Sequence, residues 1–78
     1  MYKIIGFDKG GFRYFLNHTG FFMAATNSVW SFVSVANASY SYRSLRNIQT
    51  TNIDKVYIEG PRGGLYNVET CRKLRTKF

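Results

Sequence analysis

The alternation of apolar and polar residues along the chain predicts a sheet of short strands. Residues 2–8, 12–17 and 21–25 are rich in aromatic and branched side chains, and turns at 8–11 and 18–20 separate them. Residues 55–59 alternate, with Val56 and Ile58 on the side that we expect to be buried. A Gly-rich turn at 60–64 joins this strand to apolar residues in 65–70. We therefore predict an N-terminal meander and a C-terminal hairpin.

The middle of the chain has two interpretations. Residues 29–35 carry apolar side chains on both faces, which predicts a strand that is central or covered on both sides. Ala38, Tyr42 and Leu45 then recur at helical spacing, with Ser39 or Ser41 as the N-cap. Residues 36–42 also alternate with period two, which is typical of a strand. We predict an α+β fold with a small antiparallel sheet of five to six strands and one helix around residues 38–49, with an all-β fold as the alternative.

Length and composition indicate one domain, residues 1–78, in which residues 71–78 are a candidate basic tail. Seven Phe, six Tyr and one Trp supply large apolar areas for so small a core. Cys71 is the single cysteine, so no internal disulfide can form and a reducing compartment is expected. Because no apolar run is long enough to span a bilayer, we expect no membrane association and a cytoplasmic location.

Positive charge is the strongest functional signal. The formal net charge is +7, and the second half of the chain carries most of it. Such an excess favours a polyanionic partner, because phosphate contacts release condensed counterions. We predict a non-enzymatic protein that binds nucleic acid, RNA or single strands above all. The candidate phosphate contacts are Arg72, Lys73, Arg75, Lys77, Arg62, Arg43, Arg46, Arg13 and Lys9.

Aromatic residues are interleaved with these bases, and exposed aromatic rings can stack on unpaired nucleobases. Most aromatic rings are needed for the core, so only three tyrosines remain as candidates for stacking: Tyr40, Tyr57 and Tyr66. Arg43 and Arg46 are three residues apart and are expected to share one face of the helix. Arg62 lies at the tip of the 60–64 turn, where glycines allow close approach to a backbone.

Catalytic and metal-binding patterns are weak. His18 is the single histidine, in an expected turn, and no second acid or cation is placed against it by spacing. One Cys and one His do not make a zinc site, and the Gly-Gly pairs do not match phosphate-loop or dinucleotide patterns. We predict no cofactor, no metal and no enzymatic activity.

The segments GFRYFLNHTGFF and CRKLRTKF, with their Gly-Gly turns, Tyr, Phe and Asn content and basic end, resemble small accessory proteins of large tailed phages. TifA-like inhibitors of toxin RNases are one group that shares these sequence features. The resemblance implies RNA binding and an action inside a host cell. It carries no individual residue over, because it rests on composition and turn style alone.

The alternative hypothesis is an inhibitor or adaptor that binds a host protein, such as a toxin RNase or a defence enzyme, by direct contact. An acidic protein surface would satisfy the same positive charge. A homodimer that pairs an exposed strand edge is compatible with either hypothesis, since small domains often gain stability by association.

Overall fold

The computed structural model describes residues 1–24 and 29–74. They form one helix and a six-stranded antiparallel sheet, which confirms the predicted α+β class. The elements in chain order are β1 (Tyr2–Phe7), β2 (Arg13–Leu16), β3 (Phe22–Met23), β4 (Ser31–Phe32), α1 (Val35–Ser44), β5 (Lys55–Glu59) and β6 (Leu65–Asn67).

Strand β1 is the centre of the sheet. The strand order is β3-β2-β1-β5-β6, so the predicted meander and the predicted hairpin meet along the β1–β5 ladder. On its other edge β1 pairs with β2 through Ile5–Phe7 and with β4 through Tyr2 and Lys3. The strand predicted over 29–35 is present but shorter, as β4, and it is not central because it pairs only with the start of β1.

One face of the sheet carries α1 and the main core. Ile4, Leu16 and Ile58 are fully buried there, together with Ala38 of the helix. The expected alternation in β5 is confirmed, because Val56 packs against this cluster beside Ile58. Strand residues of the other parity point to a face that no helix covers in the described part of the chain.

Helix α1 begins earlier than predicted. Ser34 is the N-cap, and its hydroxyl oxygen accepts a hydrogen bond from the backbone N–H of Asn37 at 3.1 Å. The predicted caps lie inside the helix instead. Ser39 is buried, and its hydroxyl donates to the Val68 carbonyl at 2.7 Å, which ties the helix to the chain after β6.

The helix also ends earlier, because the following residues are drawn onto the sheet edge. Leu45 has extended backbone angles, and the N–H of Gln49 donates to the Gly20 carbonyl at 2.9 Å. Gly20 has a φ of +94°, and a Cβ there would lie 2.9 Å from the Asn47 carbonyl oxygen. The prediction that Arg43 and Arg46 share a helix face is thus wrong, since Arg46 lies beyond α1.

Beyond β6 the chain reverses direction in a tight turn. The side-chain oxygen of Asn67 accepts hydrogen bonds from the N–H groups of Glu69 and Thr70, both at 2.8 Å, and Cys71 adopts a left-handed φ of 65°. Residues 72–74 then run back along β6, with a bridge between Tyr66 and Lys73. Residues 71–74 are therefore held against β6 and do not form a free tail, while residues 75–78 of the predicted basic tail lie outside the described residues.

Candidate nucleic-acid interface

The helix-free face of the sheet has a layered arrangement of charged and apolar side chains. Cross-strand pairing places residues in rows that run perpendicular to the strands. We call this surface the open face; its residues are Lys3, Ile5, Phe7, Arg13, Phe15, Met23, Lys55, Tyr57, Glu59, Leu65, Asn67 and Arg72.

The middle row of the open face is largely apolar. It runs from Met23 through Phe15, Ile5 and Tyr57 to Asn67. The pairing of residues 72–74 with β6 adds Arg72 beyond Asn67, and the N–H of Asn67 donates to the Arg72 carbonyl at 2.8 Å. With strands about 4.8 Å apart, the row extends over roughly 24 Å.

Charged residues flank this middle row on both sides. One neighbouring row places Phe7 between Arg13 and Lys55. The other places Lys3 beside Glu59. Lys3, Arg13, Lys55 and Arg72 against the single carboxylate of Glu59 give the open face a net charge of +3.

Arg13 spans the open face. Its guanidinium donates to a Glu59 carboxylate oxygen at 2.7 Å, and its side chain is half exposed whereas that of Glu59 is only 12% exposed. The guanidinium carbon lies 5.5 Å from the centroid of the Phe15 ring, and the Lys3 ammonium lies 5.4 Å from the same ring. These two cations cover Phe15 and thereby bury an apolar residue without a second layer of the fold.

Two aromatic rings of the open face remain partly accessible. Phe7 and Tyr57 pack edge to face with centroids 6.0 Å apart, and both are half-buried. Their neighbours Arg13 and Lys55 are exposed. The arrangement can therefore offer a flat ring to a ligand and a cation on either side of it.

A second basic and aromatic region lies at the turn between β5 and β6. A cavity of about 540 Å³ is lined by residues 60–64 and by three further side chains: Tyr2, Tyr66 and Lys73. We call it the turn groove. Arg62 and Lys73 are both exposed there, and none of the described residues that line it carries a carboxylate.

Glycines shape the turn groove. A Cβ at Gly60 would lie 3.3 Å from the rings of both Tyr2 and Tyr66, and a Cβ at Gly64 would lie 3.2 Å from the Lys73 side chain. The two tyrosine rings are arranged edge to face with centroids 6.0 Å apart. The absence of side chains at these glycines thus lets the rings and the ammonium stem close on the turn.

The structure brings some of the predicted site residues together. Arg13, Arg72 and Tyr57 belong to the open face, whereas Arg62, Lys73 and Tyr66 belong to the turn groove. Arg75 and Lys77 lie outside the described residues.

The other predicted residues do not join either region. Tyr40 is 69% exposed on α1, and the Nε of Arg43 donates to the Ser39 hydroxyl at 3.3 Å. Arg46 follows the helix, and Lys9 lines a different cavity together with two carboxylates, Asp8 and Asp54.

Asp8 and Tyr14 near that cavity have shifted pKa values for local reasons. The backbone N–H of Phe12 donates to the Asp8 carboxylate at 2.9 Å and lowers its pKa below the ordinary 3.8. The hydroxyl of Tyr14 donates to the other carboxylate oxygen at 2.9 Å, and this bond raises the pKa of Tyr14. Both bonds order the 8–12 turn.

Sequence reasoning missed Lys3, Lys55, Phe7 and Tyr2. These residues could be found only from strand register and not from composition. Lys55 and Tyr57 share the outward side of a recognisable strand, but only the pairing of β1 with β5 places Phe7 and Lys3 beside them. Tyr2 could not be assigned to the turn groove before its strand was known to lie next to β5.

Within residues 1–24 and 29–74, no group of three or more His, Cys, Asp or Glu side chains is placed to hold a metal ion. In the same part of the chain no helix is long and apolar enough to cross a membrane. Comparisons with protein-family models, with curated proteins and with solved structures found no match to this chain.

Proposed function

We propose that the protein binds single-stranded nucleic acid, with RNA favoured, and that the open face is the main contact surface. The observation that carries the proposal is the row structure of this face: an apolar and aromatic row lies between rows that hold Arg13, Lys55 and Lys3. Ile5 and Phe15 of that row are themselves buried, so the accessible rings are those of Phe7 and Tyr57. A nucleic-acid strand laid across the sheet can rest its bases on these two rings while its phosphates meet the flanking cations.

Single strands suit this surface better than a duplex. The rings of Phe7 and Tyr57 can stack only on bases that are unpaired and turned outward. A flat sheet face also has no protruding helix or ribbon to enter a major groove, in the part of the chain that the structure describes. RNA-binding sheets that stack bases on outward aromatic rings provide a physical precedent.

The test is a binding titration with labelled single-stranded RNA, the same sequence as single-stranded DNA, and duplex DNA, each over a range of salt. We expect the single strands to bind more tightly and log Kd to rise with log salt. Tyr57→Leu should lose about 1–3 kcal/mol of binding, the contribution of one stacked base.

Tyr40→Leu is the matched control, because it removes an exposed tyrosine from α1 on the other side of the sheet. Circular dichroism checks that both variants keep the fold. Equal affinity of a folded Tyr57→Leu protein and the wild type would exclude the open face as the stacking surface. Preference for duplex DNA would contradict the single-strand proposal.

A direct protein partner is the second candidate function, and one observation favours it. Val33, just before the N-cap of α1, and Tyr40 within α1 are each 69% exposed, and α1 packs on the side of the sheet opposite the open face. A host protein or a second copy of the chain would bury these two side chains. Pull-down after nuclease digestion distinguishes the functions, because a partner retained by the wild type and lost with Tyr40→Ser contacts the helix directly.

A further inference from the structure

We propose that the turn groove binds the phosphomonoester of a nucleotide. The shared chemistry is a terminal phosphate with its sugar and base, which a free nucleotide or the phosphorylated end of a strand can supply. For a free nucleotide the proposal stands on the groove alone; for a strand end it rests on the proposed function.

The charge of the turn groove matches a terminal phosphate. Arg62 and Lys73 line the same cavity, and within the described part of the chain none of its lining residues is acidic. A phosphomonoester carries close to two negative charges near neutral pH, whereas a phosphodiester within a strand carries one. Two cations without an opposing carboxylate therefore favour the terminal group over an internal one.

Arg62 and Lys73 supply different kinds of contact. The guanidinium of Arg62 has a planar set of donors that can bind two phosphate oxygens at once. Lys73 is a compact point charge on a flexible stem, and that stem passes close to Gly64. Its bridge to Tyr66 fixes its backbone to β6, so its charge stays at the groove and not in a free tail.

Aromatic side chains give the groove a place for the nucleoside. Tyr2 and Tyr66 both line the cavity. A ring carbon of each would lie 3.3 Å from a Cβ added at Gly60. Both are half-buried and pack against the core, so their rings are held in place. A base or ribose can pack against a preset tyrosine ring at little entropic cost.

The turn groove and the open face are separate surfaces. Tyr66 and Lys73 pair with each other and share the helix side of the sheet, whereas Tyr57 and Arg72 belong to the open face. A single strand could therefore lie on the open face and present its end at the turn, near the edge where residues 72–74 run.

The experiment compares one single-stranded RNA sequence in three forms: with a 5′-phosphate, with a 3′-phosphate and with hydroxyl groups at both ends. Direct binding of a labelled nucleoside 5′-monophosphate forms a fourth arm. We expect one phosphorylated form to bind about tenfold more tightly than the hydroxyl form, the effect of one charge-assisted contact. Arg62→Gln with Lys73→Gln should abolish this preference, while Lys55→Gln should weaken all three forms equally.

Gly64→Ala is the second variant, since its Cβ would displace the Lys73 stem without removing a charge. It should reduce the end preference and leave binding of the hydroxyl form unchanged. Direct binding of the nucleoside monophosphate, with equal affinity of the protein for all three RNA forms, would identify the free nucleotide as the source.

The outcomes separate this inference from the proposed function. If the wild type binds all three RNA forms equally and does not bind the monophosphate, the groove proposal is overturned and the open-face proposal stands. If the protein binds the nucleoside monophosphate but no RNA, the groove proposal stands and the proposed function fails. An end preference that survives the Arg62 and Lys73 double substitution also overturns the groove assignment.

Discussion

Glu59→Gln should change stability and affinity in opposite directions. Glu59 is the single carboxylate of the open face, and its carboxylate oxygen accepts a hydrogen bond from the Arg13 guanidinium at 2.7 Å. Glutamine keeps the size of the side chain and an acceptor oxygen, but it removes the charge. We therefore expect a small loss of folding free energy and a gain in affinity for single-stranded RNA.

The magnitudes follow from exposure and distance. Because the Arg13 side chain is half exposed, its ion pair is worth only about 0.2–1 kcal/mol, which sets the expected loss of stability. A carboxylate repels a phosphate about 7 Å away by roughly 0.6 kcal/mol in water, so its removal should improve Kd by about threefold. Freed from Glu59, Arg13 can make one more phosphate contact, which steepens the salt slope by about 0.7.

The assay pairs urea denaturation with an RNA titration over a range of salt. Glu69→Gln is the matched control, because it changes the net charge by the same amount from the turn that follows β6. If affinity rises equally in both variants, general charge explains it and the open face has no special role. If Glu59→Gln binds RNA more weakly than the wild type, Arg13 needs its ion pair and the reasoning is refuted.

Three further predictions concern the fold that supports the site. Ser39→Ala leaves the Val68 carbonyl without its 2.7 Å donor in a buried setting, and should lower the unfolding free energy by about 1–3 kcal/mol in urea. Gly6→Ala places a Cβ 2.8 Å and 2.9 Å from neighbouring side chains, and should cost about 1–3 kcal/mol by overpacking, measured as a lower midpoint. The lowered pKa of Asp8 means that its carboxylate stabilises the fold above pH 3.8, its ordinary pKa, and this contribution is lost as the pH falls. Asp8→Asn should therefore flatten the acid limb of stability measured against pH.

Each of these predictions has a matched comparison. Ser41→Ala changes a serine of the same helix and should have a smaller effect than Ser39→Ala. Gly11→Ala meets no atom within 4 Å, so any loss there reflects its φ of +85° and not packing. An Asp8→Asn protein whose stability falls with acid as steeply as that of the wild type would show that other carboxylates dominate.

The parts of the fold that could be predicted from the sequence were those set by residues close together in the chain. Strand β5 matches the expected 55–59, because its alternation is undisturbed and turns bound it on both sides. The helix was expected, but its limits were not, since Ser34 caps it from a stretch that alternates like a strand. Its end depends on Gly20, which is distant in sequence and admits residues 47–49 to the sheet edge.

The candidate site was predictable residue by residue but not as a surface. Arg62 and Lys73 stood out by charge, yet their convergence depends on the left-handed turn at Cys71. A positive φ at a non-glycine residue leaves no clear mark in composition. The open face escaped prediction because the ladder between β1 and β5 joins residues 48 to 56 positions apart in the sequence.

That ladder has a consequence for how the chain folds during synthesis. Ile4 pairs with Ile58, so the central strand of the sheet must wait until 54 later residues have been made before its second edge is closed. During this time the β1–β2–β3 meander exposes an unpaired edge together with Ile4 and Ile5. Because closing so distant a contact is slow, the nascent chain passes through an interval of high aggregation risk.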